Sequence, residues 1–574
     1  MMTEAALSRL RARAEQGEDG AQYKLGMLYE GGKELPQDYR EAVKWYRLAA
    51  EQGNAAAQNM LGIKYEKGYG VEQDYQEAVK WYRKAAWQGR ATAQNNLAVR
   101  YEFGKGVRKS YREAVKWYRR AAEQGNAAAQ NMLGKKYEKG RGVARDVLEA
   151  VRWYRQAADQ GHVDAWCNLG VMYALGQGVG QDDQEALACW HRAAEQGHLI
   201  AQLTLASRYS QGIGVARNES EAVQWYRRVA SQGHVEAQFE LAGRYARGEG
   251  VLTNGKEALL WYRRAAEQGH LESQYQLALI YEYGKGIARD DCQAVRWFRQ
   301  AAEQGHAVAC CNLAVKYEQG EGVPKDDGEA VHWLRVAAEA GEVTGQLWLG
   351  EMYARGAGVE QDQQEAVKWY RKAAQKGHAE AQFNMGLAYE QGRGVRLDDP
   401  SAVRWYRKAA EQGHPLAQCN LGVRYEFGKG VGADAAEAVQ WYRLAAEQGH
   451  PLAQCNLGLM YENGRGGLMQ DDQEALKWFR LAAAQGHAEA QCMLGEKHEY
   501  GEGVARNECE AAQWYRRAAD QGSAVGQAWL GDMLEFGKGV ELDDEEAVLW
   551  YRLAAAQGQT DARNWLVELG GAGR

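Results

Sequence analysis

The sequence predicts an all-α solenoid of about fifteen helix-turn-helix repeats of 36 residues. Three observations predict it. Trp-aromatic pairs recur at a fixed step, from Trp45-Tyr46, Trp81-Tyr82, Trp117-Tyr118 and Trp153-Tyr154 to Trp550-Tyr551. Cys189-Trp190 and Trp333-Leu334 hold the same place with altered residues, and the step is 36 except for 37 between Trp441 and Trp478. The apolar residues of each unit fall at helical rather than strand spacing. The 574 residues include 68 Gly but only 5 Pro, and 20 Trp against 7 Phe. Many helix ends must therefore turn without proline, and one aromatic position is copied many times. A length that would suggest about four ordinary domains becomes a single array.

Taken in order, residues 1–20 predict an N-terminal capping helix over 5–16, with Arg9 where the Trp would sit. Residues 21–557 are the fifteen repeats. In the unit at 55–88, Ala57, Leu61 and Tyr65 lie at i, i+4, i+8, one face of a first helix, helix A. Counting Ala57 as position 1, position 6 is Gly62, and every other repeat has Gly or Ala there. A small residue recurring inside a helix, where glycine costs about 1 kcal/mol, implies close helix–helix approach. Helix A stops at Gly68-Tyr69-Gly70-Val71, because glycine accepts the left-handed conformation that ends a helix. Helix B starts after Asp74 and runs to about Gln88. Its Ala78, Trp81, Tyr82, Ala85 and Ala86 form a broad apolar stripe. A Gln-Gly turn follows. Residues 558–574 predict a C-terminal capping helix over 561–569. One hairpin cannot bury its own apolar face, but stacked hairpins can, and polar end caps keep such a stack soluble.

The pattern A-x-x-x-L-[GA]-x-x-Y…G-x-G-V-x-x-D…A-x-x-W-Y-x-x-A-A-x-x-G resembles the Sel-one-like repeat family, related to tetratricopeptide repeats, over nearly the whole chain. The resemblance implies a right-handed superhelix. It implies a non-enzymatic scaffold or adaptor, found in bacterial settings, that binds a protein or peptide partner along a concave face lined by helix A. A secreted, cysteine-rich branch of the family has paired cysteines in each hairpin, and β-lactam binding or hydrolysis has been ascribed to some members. That activity is the alternative function. An idealised array without a natural ligand is a further one, since residues 53–71 and 125–143 differ at only two positions.

Several features that could carry chemistry read as structure. The G-x-G loops follow a helix, not a strand, and lack the third glycine and the Lys-Ser/Thr of a phosphate loop. Nine of the 12 His occupy one place after the Gln-Gly turn, where Asn54 and Asn126 also stand. That points to turn geometry, and no metal or cofactor is expected. Cys167, Cys311, Cys419, Cys455 and Cys492 share position 3 of helix A on separate repeats, beyond disulfide reach. The odd total of nine and the absence of a paired framework indicate free thiols, unlike the cysteine-rich branch. No Ser-x-x-Lys motif is present. Arg47, Arg119 and Arg263 each precede Glu by four residues, an expected surface ion pair.

Lys+Arg number 70 against 77 Asp+Glu, a net charge of -7, which disfavours a nucleic-acid-binding surface. No apolar run approaches membrane-spanning length, and the N-terminal residues show no signal peptide. The expectation is a cytoplasmic monomer with no nucleic-acid partner and no membrane insertion.

Partner specificity must lie where the repeats differ. Positions 4, 8 and 11 of helix A lie at i, i+4, i+7. Asn at position 4 coincides with a cation at position 8 in Asn96/Arg100, Asn312/Lys316 and Asn420/Arg424. An amide can hold a peptide backbone and a cation its carboxylate. The competing structural reading is an Asn ladder, with the cations paired to Glu at position 10. Trp348 and Trp529 interrupt position 4 as candidate anchors. Phe103, Tyr283, Phe427, Tyr500 and Phe536 at position 11 extend the stripe.

Overall fold

The computed structural model describes residues 3–572, with side chains to residue 566. Residues 1–2 and 573–574, at the outer ends of the expected caps, lie outside the described residues. Those described form 32 helices and no strand. They fall into two compact units, Met1–Ser273 and Gln274–Arg574. In the first, α1 (Glu4–Glu15) precedes seven hairpins, from α2 (Asp19–Gly31) with α3 (Tyr39–Glu51) to α14 (Val235–Arg247) with α15 (Gly255–Glu267). The second holds eight, from α16 (Leu271–Tyr283), which begins just before the boundary, with α17 (Asp291–Glu303), to α30 (Ala524–Glu535) with α31 (Asp544–Ala556). The helix α32 (Thr560–Ala572) follows.

The hairpin at α4 (Ala55–Lys67) and α5 (Tyr75–Trp87) shows how the sequence sets each boundary. Gly68 ends α4 in the left-handed conformation at φ 73°, its N–H donating to Lys64 O. Gly70, at φ 76°, is required for a second reason: a Cβ there would lie 2.1 Å from the Tyr39 carbonyl oxygen of the preceding hairpin. The G-x-G pair is thus a stop signal and a backbone contact between repeats. The Asp74 carboxylate then accepts from the N–H groups of Gln76 and Glu77 at 2.8 and 3.0 Å, capping α5.

The Gln-Gly turns carry a ladder. Gln88 Nε2 donates to Gln58 Oε1 at 2.7 Å, and buried Gln58 donates to the Ala50 carbonyl at 3.0 Å. In the second unit Gln412 repeats this with Gln382 and Ala374. Each ladder step occupies a carbonyl that a helix C-terminus leaves without an intrahelical partner.

In many repeats the recurring Trp is not the most buried aromatic, although at Trp225-Tyr226 the order reverses. Tyr46, Tyr82, Tyr118, Tyr154, Tyr406 and Tyr442 are fully buried, whereas Trp45, Trp81, Trp369 and Trp405 are only half-buried. The tyrosine ring lies against the small position 6: a Cβ on Gly62 would sit 2.7 Å from Tyr82 Cδ1. The tryptophan lies further out, under a cation three residues on, as in Lys84 over Trp81 at 4.2 Å and Lys408 over Trp405 at 4.5 Å. Each buried large side chain contributes roughly 1.5–3 kcal/mol, and the repeat multiplies it.

The arginine after Trp-Tyr also differs from expectation. Arg47 donates to the Tyr65 hydroxyl at 2.6 Å, and Arg119 donates in the same way to Tyr137 at 2.5 Å. Neither pairs with Glu51 or Glu123 among the described residues. The guanidinium reaches forward to the next helix A, so it links repeats rather than bracing its own helix.

Candidate functional site

The cations at position 8 point inward. Position 8 lies beside positions 1 and 5 of the core, because a helix advances 100° per residue. Arg100, Lys316 and Arg424 are buried, and each meets the position 10 glutamate one repeat earlier. Arg100 lies 3.2 Å from Glu66 and Lys316 lies 3.0 Å from Glu282, while Arg424 pairs with Glu390. Two of these glutamates also accept from buried tyrosines: Tyr82 hydroxyl donates to Glu66 at 2.6 Å, and Tyr406 hydroxyl donates to Glu390. Burial, and then the Glu66 carboxylate, hold the Tyr82 hydroxyl well above the usual phenol range.

Lys316 has further partners in Glu321 at 2.8 Å and Asp291 at 3.1 Å. Burial pulls its ammonium down, but the hydrogen bonds to Glu321, Glu282 and Asp291 more than offset this and raise it above the ordinary lysine value. Arg424 also lies 2.6 Å from Asp399. The three cations that the sequence offered as carboxylate clamps are therefore already held inside the stack. The pairing is with the preceding repeat.

Where position 8 carries no cation, another residue can serve the glutamate. Met352 is accompanied by Arg355 to Glu318 at 3.0 Å, and Met460 by Arg465 to Glu426 at 2.7 Å. Met533 is accompanied by Lys538, 3.4 Å from Glu499. Ala354 at position 10 is followed by Ala388 at the next position 8, so both sides of the pair are replaced together.

The position 4 residues are half-buried and divide by role. Asn96 Nδ2 donates to Asn59 Oδ1 of the preceding repeat at 3.0 Å, as Asn168 does to Asn131 at 2.8 Å. Burial and Glu390 raise the Tyr406 phenol, and Asn420, which stands near its hydroxyl, lowers it. Asn312 shares α18 (Ala307–Gln319) with Lys316 and keeps an accessible edge. Trp348 packs on the core around Leu347 and Tyr370. Trp529 lies between Tyr515 and Trp565, each ring 6.2 Å away.

Position 7, which lies three residues after position 4 and four before position 11, is the outward place that spacing alone did not single out. It carries Val99, Val171, Val315, Leu387 and Val423, with Glu351 and Glu496 in other repeats, and all are at least partly exposed. Position 11 is the most open: Phe103 is 61% exposed, Tyr283 64%, Phe427 63%, Tyr500 57% and Phe536 60%. The accessible face of helix A is thus formed by positions 4, 7 and 11. Burial at position 8 was legible only through the alternation of Glu and Lys or Arg between consecutive repeats.

Most of the histidines after the Gln-Gly turn cap helices, although the His162 side chain makes no cap bond among the described residues. Nδ1 of His306, His414 and His450 accepts the N–H three residues on at 3.0, 3.2 and 3.2 Å, the part played by Asn54 Oδ1 toward Ala57 at 2.9 Å. Burial pushes the His450 and His487 imidazoles below the ordinary value. All nine cysteines are free. Burial raises the Cys167 thiol to about 11 and the Cys419 thiol to about 12, so neither is a ready nucleophile. No helix among the described residues is long and apolar enough to cross a membrane.

Comparison with known proteins agrees with this architecture. The Sel1 repeat family model matches fifteen times in succession, from residues 20–54 to 524–559. Among solved structures, c5321, a protective antigen present in uropathogenic Escherichia coli strains displaying an SLR fold, is 37% identical with a TM-score of 0.58. The match covers 84% of this chain and 97% of that one. A Sel1 repeat protein from Oxalobacter formigenes is 34% identical over 57% of this chain and 93% of that one, with a TM-score of 0.45. No curated protein matches. With all fifteen hairpins matched by one model and explained by one set of contacts, the chain belongs to the Sel1 repeat family.

Proposed function

We propose that the chain is a non-enzymatic scaffold that binds a protein or peptide partner on the exposed face of helix A. One observation carries this reading. Large aromatic side chains recur more than half exposed at position 11 of five repeats, and elsewhere among the described residues Trp87 is the one Phe, Tyr or Trp that is as open. An isolated exposed apolar residue needs no explanation, but a recurring place for Phe and Tyr beside half-buried Asn and Trp has the composition of an interface.

The buried ion pairs change how the partner would be recognised. Arg100, Lys316 and Arg424 are engaged by glutamates, so attraction to a partner's carboxylates is not their role in this reading. Asn96, Asn312 and Asn420 at the rim, with Trp348 and Trp529 beside them, remain the proposed polar and aromatic contacts. Position 7 supplies the apolar floor between them. The free thiols fit a reducing compartment, and we place the protein in the cytoplasm.

The test uses the full chain and lysate of the native cell. A variant carrying Phe427→Ser, Tyr500→Ser and Phe536→Ser should fold as the parent does, because these side chains pack on little. It should lose the partner that the parent retains. Equal recovery of the same partner by both proteins overturns the assignment of the face.

A further inference from the structure

Cys455, His487 and Glu489 come together away from the exposed face of helix A. Their ligand atoms all lie within 4.8 Å of one another. Cys455 is at position 3 of α26 (Pro451–Glu462), His487 is the N-cap of α28 (Ala488–Tyr500), the next helix A, and Glu489 lies in its first turn.

The fold creates this meeting. Position 3 of one repeat sits beneath the N-cap of the next, as shown by the Phe383 ring 4.8 Å from His414 and by Cys492 Sγ 3.8 Å from Ser523 Oγ. Most repeats place an incomplete set there. Cys419 precedes His450, but residue 452 is Leu. Cys167 precedes His198, but residue 200 is Ile. Cys311 precedes Glu342 and Cys492 precedes Ser523, with no histidine at the cap. Cysteine, histidine and a first-turn carboxylate coincide at Cys455, His487 and Glu489.

The Cys455 thiol is fully buried and makes no hydrogen bond among the described residues, a condition that Cys419 shares. Cys455 differs in having both an imidazole nitrogen and a carboxylate oxygen within 4.8 Å. His487 is half-buried and Glu489 exposed, so the cluster opens to solvent through the carboxylate.

We propose that Cys455, His487 and Glu489 form a zinc site, with thiolate, imidazole and carboxylate as protein ligands and water completing the tetrahedron from the solvent side. This donor set suits Zn²⁺, which accepts all three ligand types and keeps an open position where only three protein ligands exist. Binding releases the thiol proton and strengthens as pH rises. It also displaces the 3.3 Å bond from Ala490 N–H to His487 Nδ1. Zinc on Nδ1 replaces that bond directly, and zinc on Nε2 moves the ring proton onto Nδ1.

The test titrates the reduced, metal-free, full-length chain with Co²⁺ and then Zn²⁺. One equivalent of Co²⁺ should give a thiolate-to-cobalt charge-transfer band in the near ultraviolet, and Zn²⁺ should abolish it. Cys455→Ser should remove the band, Glu489→Gln should weaken binding by about tenfold or more, and Cys419→Ser should change neither. No band in the parent, or an undiminished band in Cys455→Ser, overturns the site. If Cys455→Ser fails to fold, Glu489→Gln decides, since its side chain is exposed, and unchanged affinity there overturns the site as well.

Discussion

Lys64 Nζ lies 2.5 Å from Glu30 Oε1, one repeat earlier, with the lysine side chain 1% exposed. The pair joins neighbouring hairpins through a charge that cannot be left alone in the interior. Glu30 also accepts from the Tyr46 hydroxyl at 2.7 Å, so one carboxylate ties together both helices of its own hairpin and the first helix of the next. Arg100 with Glu66 and Tyr82 repeats the arrangement, and Lys497 keeps the ion pair to Glu462 where Phe479 replaces the tyrosine.

Removing one partner should therefore cost more than removing both. Lys316→Met strands Glu282 and is expected to destabilise the surrounding hairpins by on the order of 3 kcal/mol. Adding Glu282→Leu should restore most of the loss, as the natural Ala354 and Ala388 combination suggests. An array of this length need not unfold in one step, so the measurement is hydrogen exchange of the α18 amides. Equal exchange in the two variants would contradict the pairing.

The second glycine of the G-x-G loop should be the least replaceable. Gly89→Ala meets open space, at φ 88°, and should cost the left-handed strain alone, about 1–2 kcal/mol. Gly70→Ala adds a clash with the Tyr39 carbonyl oxygen and should cost distinctly more. Comparative denaturation of the two variants checks this. Equal losses would show that the contact between repeats is relieved elsewhere.

The histidine caps make the stack sensitive to acid. Burial lowers the His450 and His487 imidazoles, so the folded chain binds fewer protons there than the unfolded chain. Their contribution is present above the unfolded value of about 6.5 and is lost as pH falls below it. A protonated Nδ1 also ceases to accept the cap bond, worth about 1 kcal/mol. Thermal melting in chelator from pH 7.5 to 5 should show falling stability. Replacing both histidines with Asn, the residue at position 54, should flatten part of that dependence. An unchanged slope would refute the cap assignment.

The repeat, both helices and the turns were legible in the sequence because each unit carries its own terminators and apolar stripe. The order of burial within Trp-Tyr was not. Trp81 and Tyr82 lie side by side on one stripe, and the depth of Tyr82 is set by its packing on Gly62, a residue of the other helix. The inward turn of Lys316 was hidden for a similar reason: its partner Glu282 stands on the preceding repeat. Cys455 and His487 are likewise remote in sequence and meet only through the stacking of successive A helices. Asn96 and Trp529 were recognisable as departures from the repeat, yet their neighbours Asn59 and Trp565 belong to other helices.

The central claim is that helix A positions 4, 7 and 11 form the partner-binding face. Site-specific photocrosslinking in the native cell tests it most directly. A photoreactive residue is placed at Phe427, Tyr500 or Phe536, and for comparison at Leu444 or Leu481, which are exposed on helix B. The account predicts a shared crosslinked partner from the three helix A positions and none from helix B. Crosslinks arising from Leu444 and Leu481 alone, or equally from both sets, would contradict it.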